Sequence, residues 1–185
     1  MDESFFRLVF SRHSLGPKHQ TIPAPDVGAL RLAVSAACHV PCHGENLPFR
    51  WAEVASRDRL ASLFEAALPA DADEAARAKA RSKALKGPML LALIETDISP
   101  ERSERDETER KLTAGASLMN LLLGLHAQGF AAKTVSAKDF EAPDGLYDPA
   151  GEAILCFVLV GTPDKPVDYN DIGQGSDEHL PLVRW

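Results

Sequence analysis

Residues 37–51 read Ala37-Cys38-His39-Val40-Pro41-Cys42-His43-Gly44-Glu45-Asn46-Leu47-Pro48-Phe49-Arg50-Trp51, and the reading of this stretch decides the fold around it. Two cysteines and two histidines stand where a helix runs into a proline. Cys38 and Cys42 are four apart, as are His39 and His43, so on an unbroken helix each pair would share a face and offer ligands to a metal. Pro41 interrupts that helix, because it lacks an N–H and crowds the preceding turn. Neighbouring residues then point in different directions, and no second Cys/His cluster supplies the rest of a tetrahedral site. The interval from Cys38 to His43 is also one residue too long for the usual haem-attachment spacing. The expectation is therefore no metal, with Cys38 and Cys42 as small packing residues.

Working outward, residues 2–12 have the pattern of a short helix with Phe5, Phe6, Val9 and Phe10 on or near one face. A loop marked by Gly and Pro follows over 15–25. Asp26 is then an N-cap candidate for a helix through Leu30, Leu32, Ala33, Val34 and Ala37, which Pro41 ends. Downstream, 49–55 suits a strand and 57–68 a helix with Leu60, Leu63 and Phe64 on one side. Asp71 and Glu74 have capping-box spacing ahead of an Ala-, Lys- and Arg-rich helix with little apolar surface, expected at the periphery.

Residues 89–95 form a near-continuous apolar run behind Gly87-Pro88, as in a strand buried on both faces. The charged segment 97–111 is expected to be a surface loop and helix start. From 112 to 128 apolar residues fall on every side of the helical wheel, and Ala114, Gly115, Ala116 and Ser117 permit close approach of another backbone. Such a helix must be covered all round, which makes it the spine of the fold and a candidate for a subunit interface. Gly129 is its C-cap candidate. A second buried strand spans 154–160, with Cys156 inside it, and ends at Gly161-Thr162-Pro163. Beyond Pro166 the chain is polar until a short apolar end, Leu180-Pro181-Leu182-Val183-Arg184-Trp185. Helices outnumber strands, which are irregularly separated, so a layered α+β domain is expected.

With 185 residues, 45% of them hydrophobic, the chain can bury one core, and a single domain over residues 1–185 is expected. A net charge of -7 argues against a nucleic-acid partner, and Arg77, Lys79, Arg81, Lys83 and Lys86 read as a solvated helix face. Three cysteines, an odd and sparse set, suit reduced thiols in a cytosolic protein. The run from Phe5 to Phe10 is too short for a secretory signal and follows Asp2 and Glu3. No other segment is long enough to span a bilayer, so a soluble, cytoplasmic protein with no membrane partner is expected.

Arg12-His13-Ser14, with Lys18 close behind, is the second cluster of interest. A guanidinium fork and a hydroxyl fit an anionic ligand; a solvated helix terminus fits the same residues. The chain has no Gly-x-Ser-x-Gly elbow, and Gly173-Gln174-Gly175-Ser176 reads as a flexible turn. It also lacks a phosphate loop and a dinucleotide Gly-x-Gly-x-x-Gly, so a nicotinamide would not be held by a Rossmann unit.

Taken in order, these pieces resemble the nitroreductase family of FMN-dependent oxidoreductases, especially its short, minimal members. The landmarks are Arg12-His13-Ser14 against Arg-Arg-Ser; Val40-Pro41-Cys42-His43 through Leu47-Pro48-Phe49 against Ala-Pro-Asp-His and a later Gln-Pro-Trp; Ala127-Gln128-Gly129-Phe130 closing the spine; and Val160-Gly161-Thr162-Pro163. The resemblance implies an α+β layered domain with a mixed central sheet flanked by helices and the central helix at a homodimer interface. Residues 166–185 would wrap the partner subunit. FMN would lie between subunits, with Arg12, His13 and Ser14 on its phosphate and ribityl side. His39 and His43 would approach from the other subunit, and Thr134, Val135 and Ser136 would line the ring, partly through backbone groups.

The implied chemistry is ping-pong, with NAD(P)H as reductant and a small acceptor such as a nitroaromatic or quinone; the flavin carries it and no side chain is assigned as catalytic. The sequence departs from the family at His13 and His39, each standing for an Arg, at Thr134-Val135-Ser136 for Trp-Arg-Ser, and at Ala131-Ala132 for Gly-Gly. Each change removes fixed charge, aromatic surface or backbone clearance from the pocket. A functionally diverged or non-catalytic flavin-binding homodimer is the alternative, and Lys165 is a candidate compensating cation.

Overall fold

A computed structural model describes residues 3–43, 46–136 and 146–170. Its helices are α1 (Ser4–Ser11), α2 (Val27–Ala37), α3 (Arg57–Ala66), α4 (Glu74–Ala84) and α5 (Glu104–Ala127). Its strands are β1 (Gln20–Thr21), β2 (Phe49–Glu53), β3 (Met89–Glu95), β4 (Ala131–Ser136) and β5 (Ala153–Pro163). The expected turn at 173–176, the apolar end at 180–185 and most of the tail lie outside the described residues.

Side-chain caps fix where three helices begin. Asp26 accepts from the Ala29 N–H at 2.8 Å, as expected. At α4 the cap is Asp73, which accepts from the Ala76 N–H at 2.7 Å, and not Asp71. Asp73 is the extended residue immediately before the helix, and from there its carboxylate reaches the N3 amide. Ser103 accepts from the Asp106 N–H and starts α5 well before the apolar stretch, with Glu104, Asp106 and Glu107 in the first turn favoured by the helix dipole. Much of the expected surface loop is thus helix. At the other end, α2 stops at Ala37, ahead of Pro41, because a residue before proline is pushed out of the helical region. Gly129 follows the last turn of α5 at φ +81°, the left-handed conformation that glycine adopts without a Cβ penalty.

The sheet runs β1-β5-β3-β2, with β4 also on β5. Every pairing among the described residues is antiparallel, which corrects the mixed sheet to an antiparallel one; no two described neighbours are joined by a parallel crossover. β3 is buried at every position, as its apolar run demands. Its period-two alternation feeds two cores. Met89 and Leu91, with Val158 and Val160 of β5, face Ala33 and Ala37 of α2 and Leu121 and Leu125 of α5. Leu90, Ala92 and Ile94, with Phe157 and Leu159, face Leu60 and Ala61 of α3 and Ala84 of α4. Arg50 on β2 pairs with Glu152 at 2.7 Å and donates to the Leu146 carbonyl at 2.7 Å, bracing the approach to β5.

The spine helix is not covered all round. Leu112 is 68% and Met119 36% exposed on α5, alongside Leu32 on α2 at 64%, and Phe5 and Phe10 on α1 at 58% and 52%. Its residues Ala114, Ser117, Leu121 and Leu125 are buried, whereas Leu112 and Met119 are left uncovered by the described chain. No helix among the described residues is long and apolar enough to cross a membrane.

Candidate functional site

A cavity of about 370 Å³ lies where the end of α1, the last turns of α5, the start of β4 and the segment after β5 converge. Arg12, His13, His126, Ala131, Ala132 and Lys165 are among its walls. Arg12 is the C-cap of α1, half-buried, and its Nε is buried with no hydrogen-bond partner among the described residues. A guanidinium N–H held dry without an acceptor is costly, and an anion in the cavity would supply one. His13 is exposed and its Nδ1–H donates to the Ser11 carbonyl at 3.1 Å. Ser14 is exposed and is not part of the cavity wall.

The cavity is closed on one side by residues 163–168, and the segment is tied down at two points. His19 meets Asp164 at 2.8 Å, and the Tyr169 hydroxyl donates to the His126 carbonyl at 2.8 Å. His126 itself is 6% exposed, with Nε2 2.9 Å from the Ser11 hydroxyl and its ring 5.2 Å from that of Tyr169. Burial chiefly, and then the positive charges of Arg12 and His13, hold its pKa below the ordinary histidine value. The imidazole is therefore neutral at pH 7.

The other expected residues stand apart from this cavity. On β4 the side chains alternate: Thr134 is opposite Val158 and Ser136 opposite Cys156, whereas Val135 is opposite Phe157 and packs into the α3/α4 core. Three consecutive strand residues cannot present their side chains to one surface, so Val135 could line a ligand on the other face only through its backbone. None of the three reaches the Arg12 cavity.

His39 and His43 are exposed, toward the opposite end of α5. The His39 carbonyl accepts from Asn120 at 3.0 Å, its Nδ1–H donates to the Ser35 carbonyl at 2.8 Å, and the nearby Pro41 carbonyl accepts from Thr113 at 3.0 Å. His43 borders a smaller cavity with Glu109 and Thr113. Thr113 and His126 are separated along one helix by ~20 Å at 1.5 Å per residue, so one chain cannot bring the two clusters together. Cys38 is exposed and Cys42 half-buried, its thiol donating to the Asn46 carbonyl at 3.5 Å. Cys38 is therefore not the packing residue expected, because α2 ends at Ala37 and turns Cys38 to the surface. Among the described residues no group of three or more His, Cys, Asp or Glu is placed to hold a metal ion.

Sequence reasoning missed Ser11 and His126. No spacing rule links residues so far apart; the available signal was a histidine in the last turn of an otherwise apolar helix.

No protein-family model matches the chain. YdjA of Escherichia coli K12, provisionally named an NAD(P)H nitroreductase, is 25% identical over 147 residues, 76% of this chain and 79% of the relative. A nitroreductase-like family protein of Bacillus cereus has the same fold at a TM-score of 0.74 and 18% identity, covering 97% of this chain and 96% of that one. The chain has the nitroreductase fold. Within that fold it is similar also to NfnB of Mycobacterium smegmatis, described as an FMN-dependent nitroreductase and solved with NADPH, at a TM-score of 0.67 and 16% identity over 98% of this chain and 99% of that one. Arg12 and Lys165, far apart in sequence, both border one cavity.

Proposed function

We propose that the chain is an FMN-dependent oxidoreductase that works as a homodimer, taking electrons from NAD(P)H and passing them to a small acceptor such as a nitroaromatic or quinone. The observation that carries this reading is the unpartnered Arg12 Nε in a cavity bordered by His13 and Lys165. About 370 Å³ is within the usual range of small-molecule pockets, roughly 300–1,000 Å³, and the donor set suits a phosphate. Bound FMN would supply two-electron chemistry, accepting hydride from the nicotinamide and returning electrons to the acceptor in ping-pong order.

The chain's own residues bind and orient. Arg12 and Lys165 hold the phosphate end, His13 adds a donor there, and Ala131-Ala132 form the wall behind. His39 and His43 come from the partner subunit. The exposed Phe5, Phe10, Leu32, Leu112 and Met119 are the apolar surface such a partner would cover, which supports the dimer. The cysteines stay reduced in the cytosol.

Purified protein is expected to be yellow, to release FMN on denaturation and to sediment as a dimer. Arg12→Gln should lower FMN affinity about tenfold or more, since a charge-assisted contact to phosphate is lost. Colourless protein that takes up no FMN would refute the reading. A second reading, a diverged flavin-binding dimer without turnover, is favoured by one observation: Ala131 and Ala132 stand in the cavity wall where the family has glycines. NAD(P)H oxidation coupled to a quinone excludes it.

A further inference from the structure

The eight residues of α1 bury one side chain fully, and it is a serine. Its aromatic residues Phe5, Phe6 and Phe10 are all exposed. An amphipathic helix is ordinarily anchored by apolar side chains, so α1 has a different anchor at its functional end. That anchor is the contact between the Ser11 hydroxyl and His126 Nε2 at 2.9 Å, both groups buried. The Ser11 hydroxyl also lies 3.4 Å from the Leu8 carbonyl, and the Tyr169 hydroxyl holds the His126 backbone from the other side. A buried polar pair costs stability unless it is satisfied, and once satisfied it fixes geometry more sharply than an apolar contact.

The next residue is Arg12. We infer that His126 is a positioning residue: hydrogen-bonded to Ser11, it fixes the last turn of α1 so that Arg12 stays in the cavity as an anion-binding group. The inference rests on the proposed reading of that cavity as the site of the FMN phosphate, and it deepens that reading by naming what holds the phosphate-binding arginine. His126 itself touches the cavity wall but is assigned no bond to the reacting ring. It acts through Ser11.

The test compares FMN with riboflavin, which has the same ring and lacks the phosphate. Dissociation constants for both are measured by flavin fluorescence on wild type, Ser11→Ala, His126→Phe, His126→Gln and the Ser11→Ala/His126→Phe double variant. Wild type should bind FMN more tightly than riboflavin. Ser11→Ala and His126→Phe should each cut that preference about fivefold or more, as expected for one buried hydrogen bond. His126→Gln, whose amide can still reach the hydroxyl, should retain most of the preference. The double variant should lose no more than either single one, because both substitutions delete the same contact. Should His126→Phe fail to fold, Ser11→Ala removes the contact from the other side.

An equal loss for FMN and riboflavin would make the pair a general packing element and overturn the inference. Unchanged preference in both single variants would overturn it too, while leaving the FMN reading intact. A wild type that binds the two flavins equally would take down the phosphate reading and this inference together.

Discussion

The indole N–H of Trp51 on β2 donates to the Ser117 hydroxyl on α5 at 3.0 Å, and Ser117 is fully buried. This bond ties the spine helix to the edge strand that follows the Cys/His loop. Ser117→Ala leaves the indole N–H without its partner in a half-buried site, and an unsatisfied donor costs about 1–3 kcal/mol. The urea midpoint of Ser117→Ala is expected to fall accordingly, with an unchanged m-value.

Gly124 lets α5 pack closely on α2 at Ala33. A Cβ there would lie 3.3 Å from the Ala33 Cα and 3.5 Å from its Cβ. Ala33 is almost completely buried and has no flexible end to move aside. Gly124→Leu should therefore overpack the α2/α5 contact and cost about 1–3 kcal/mol, read as a lower thermal midpoint.

His126 should make the protein acid-sensitive. Its folded pKa lies below the ordinary 6.5 because of burial, Arg12 and His13. Between those two values the unfolded chain binds the extra proton, so this residue's contribution is fully present above pH 6.5 and is lost as pH falls toward the folded value. His13, His19, Asp164, Lys165 and Asp168 border the same cavity, so the measurement is a difference between wild type and variant. The drop in thermal midpoint from pH 7.5 to 5.5 should be smaller in His126→Gln than in wild type; equal slopes would contradict it.

Cys156 on β5 should be unreactive in the folded protein. Burial pushes its thiol up to about 11, leaving very little nucleophilic thiolate near pH 8. Iodoacetamide at pH 8, followed by peptide mapping, should leave Cys156 unmodified until the protein is unfolded, when it should react fully.

Much of the scaffold could be read from residues alone. The apolar run at 89–95 permits only a strand covered on both faces, and Asp26 can satisfy the open amides of α2 only as its cap. Strand β4 was harder to see, since Ala131, Ala132 and Lys133 carry no strand propensity; pairing with the long β5 overrides their local preference. The small β1 depends wholly on its partner at Thr162 and Pro163. For the candidate site, local motifs pointed to Arg12, a guanidinium at a helix end that borders the cavity. They did not find Ser11 with His126, whose meaning arises only when the ends of α1 and α5 meet. Thr134, Val135 and Ser136 alternate along β4, so a ring lined by all three would meet Val135 through its backbone.

The spacing along α5 between the Arg12 cavity and the His39 region has a genetic consequence on the proposed two-subunit reading. If each pocket takes its phosphate side from one copy and its histidines from the other, a chain disabled at Arg12 and a chain disabled at His39 should repair each other when co-expressed. Every mixed pair would contain one pocket with both defects and one with neither. About half the pairs formed at random would be mixed, so roughly a quarter of all pockets should recover from two individually defective genes, whereas a pocket built within one chain would recover none.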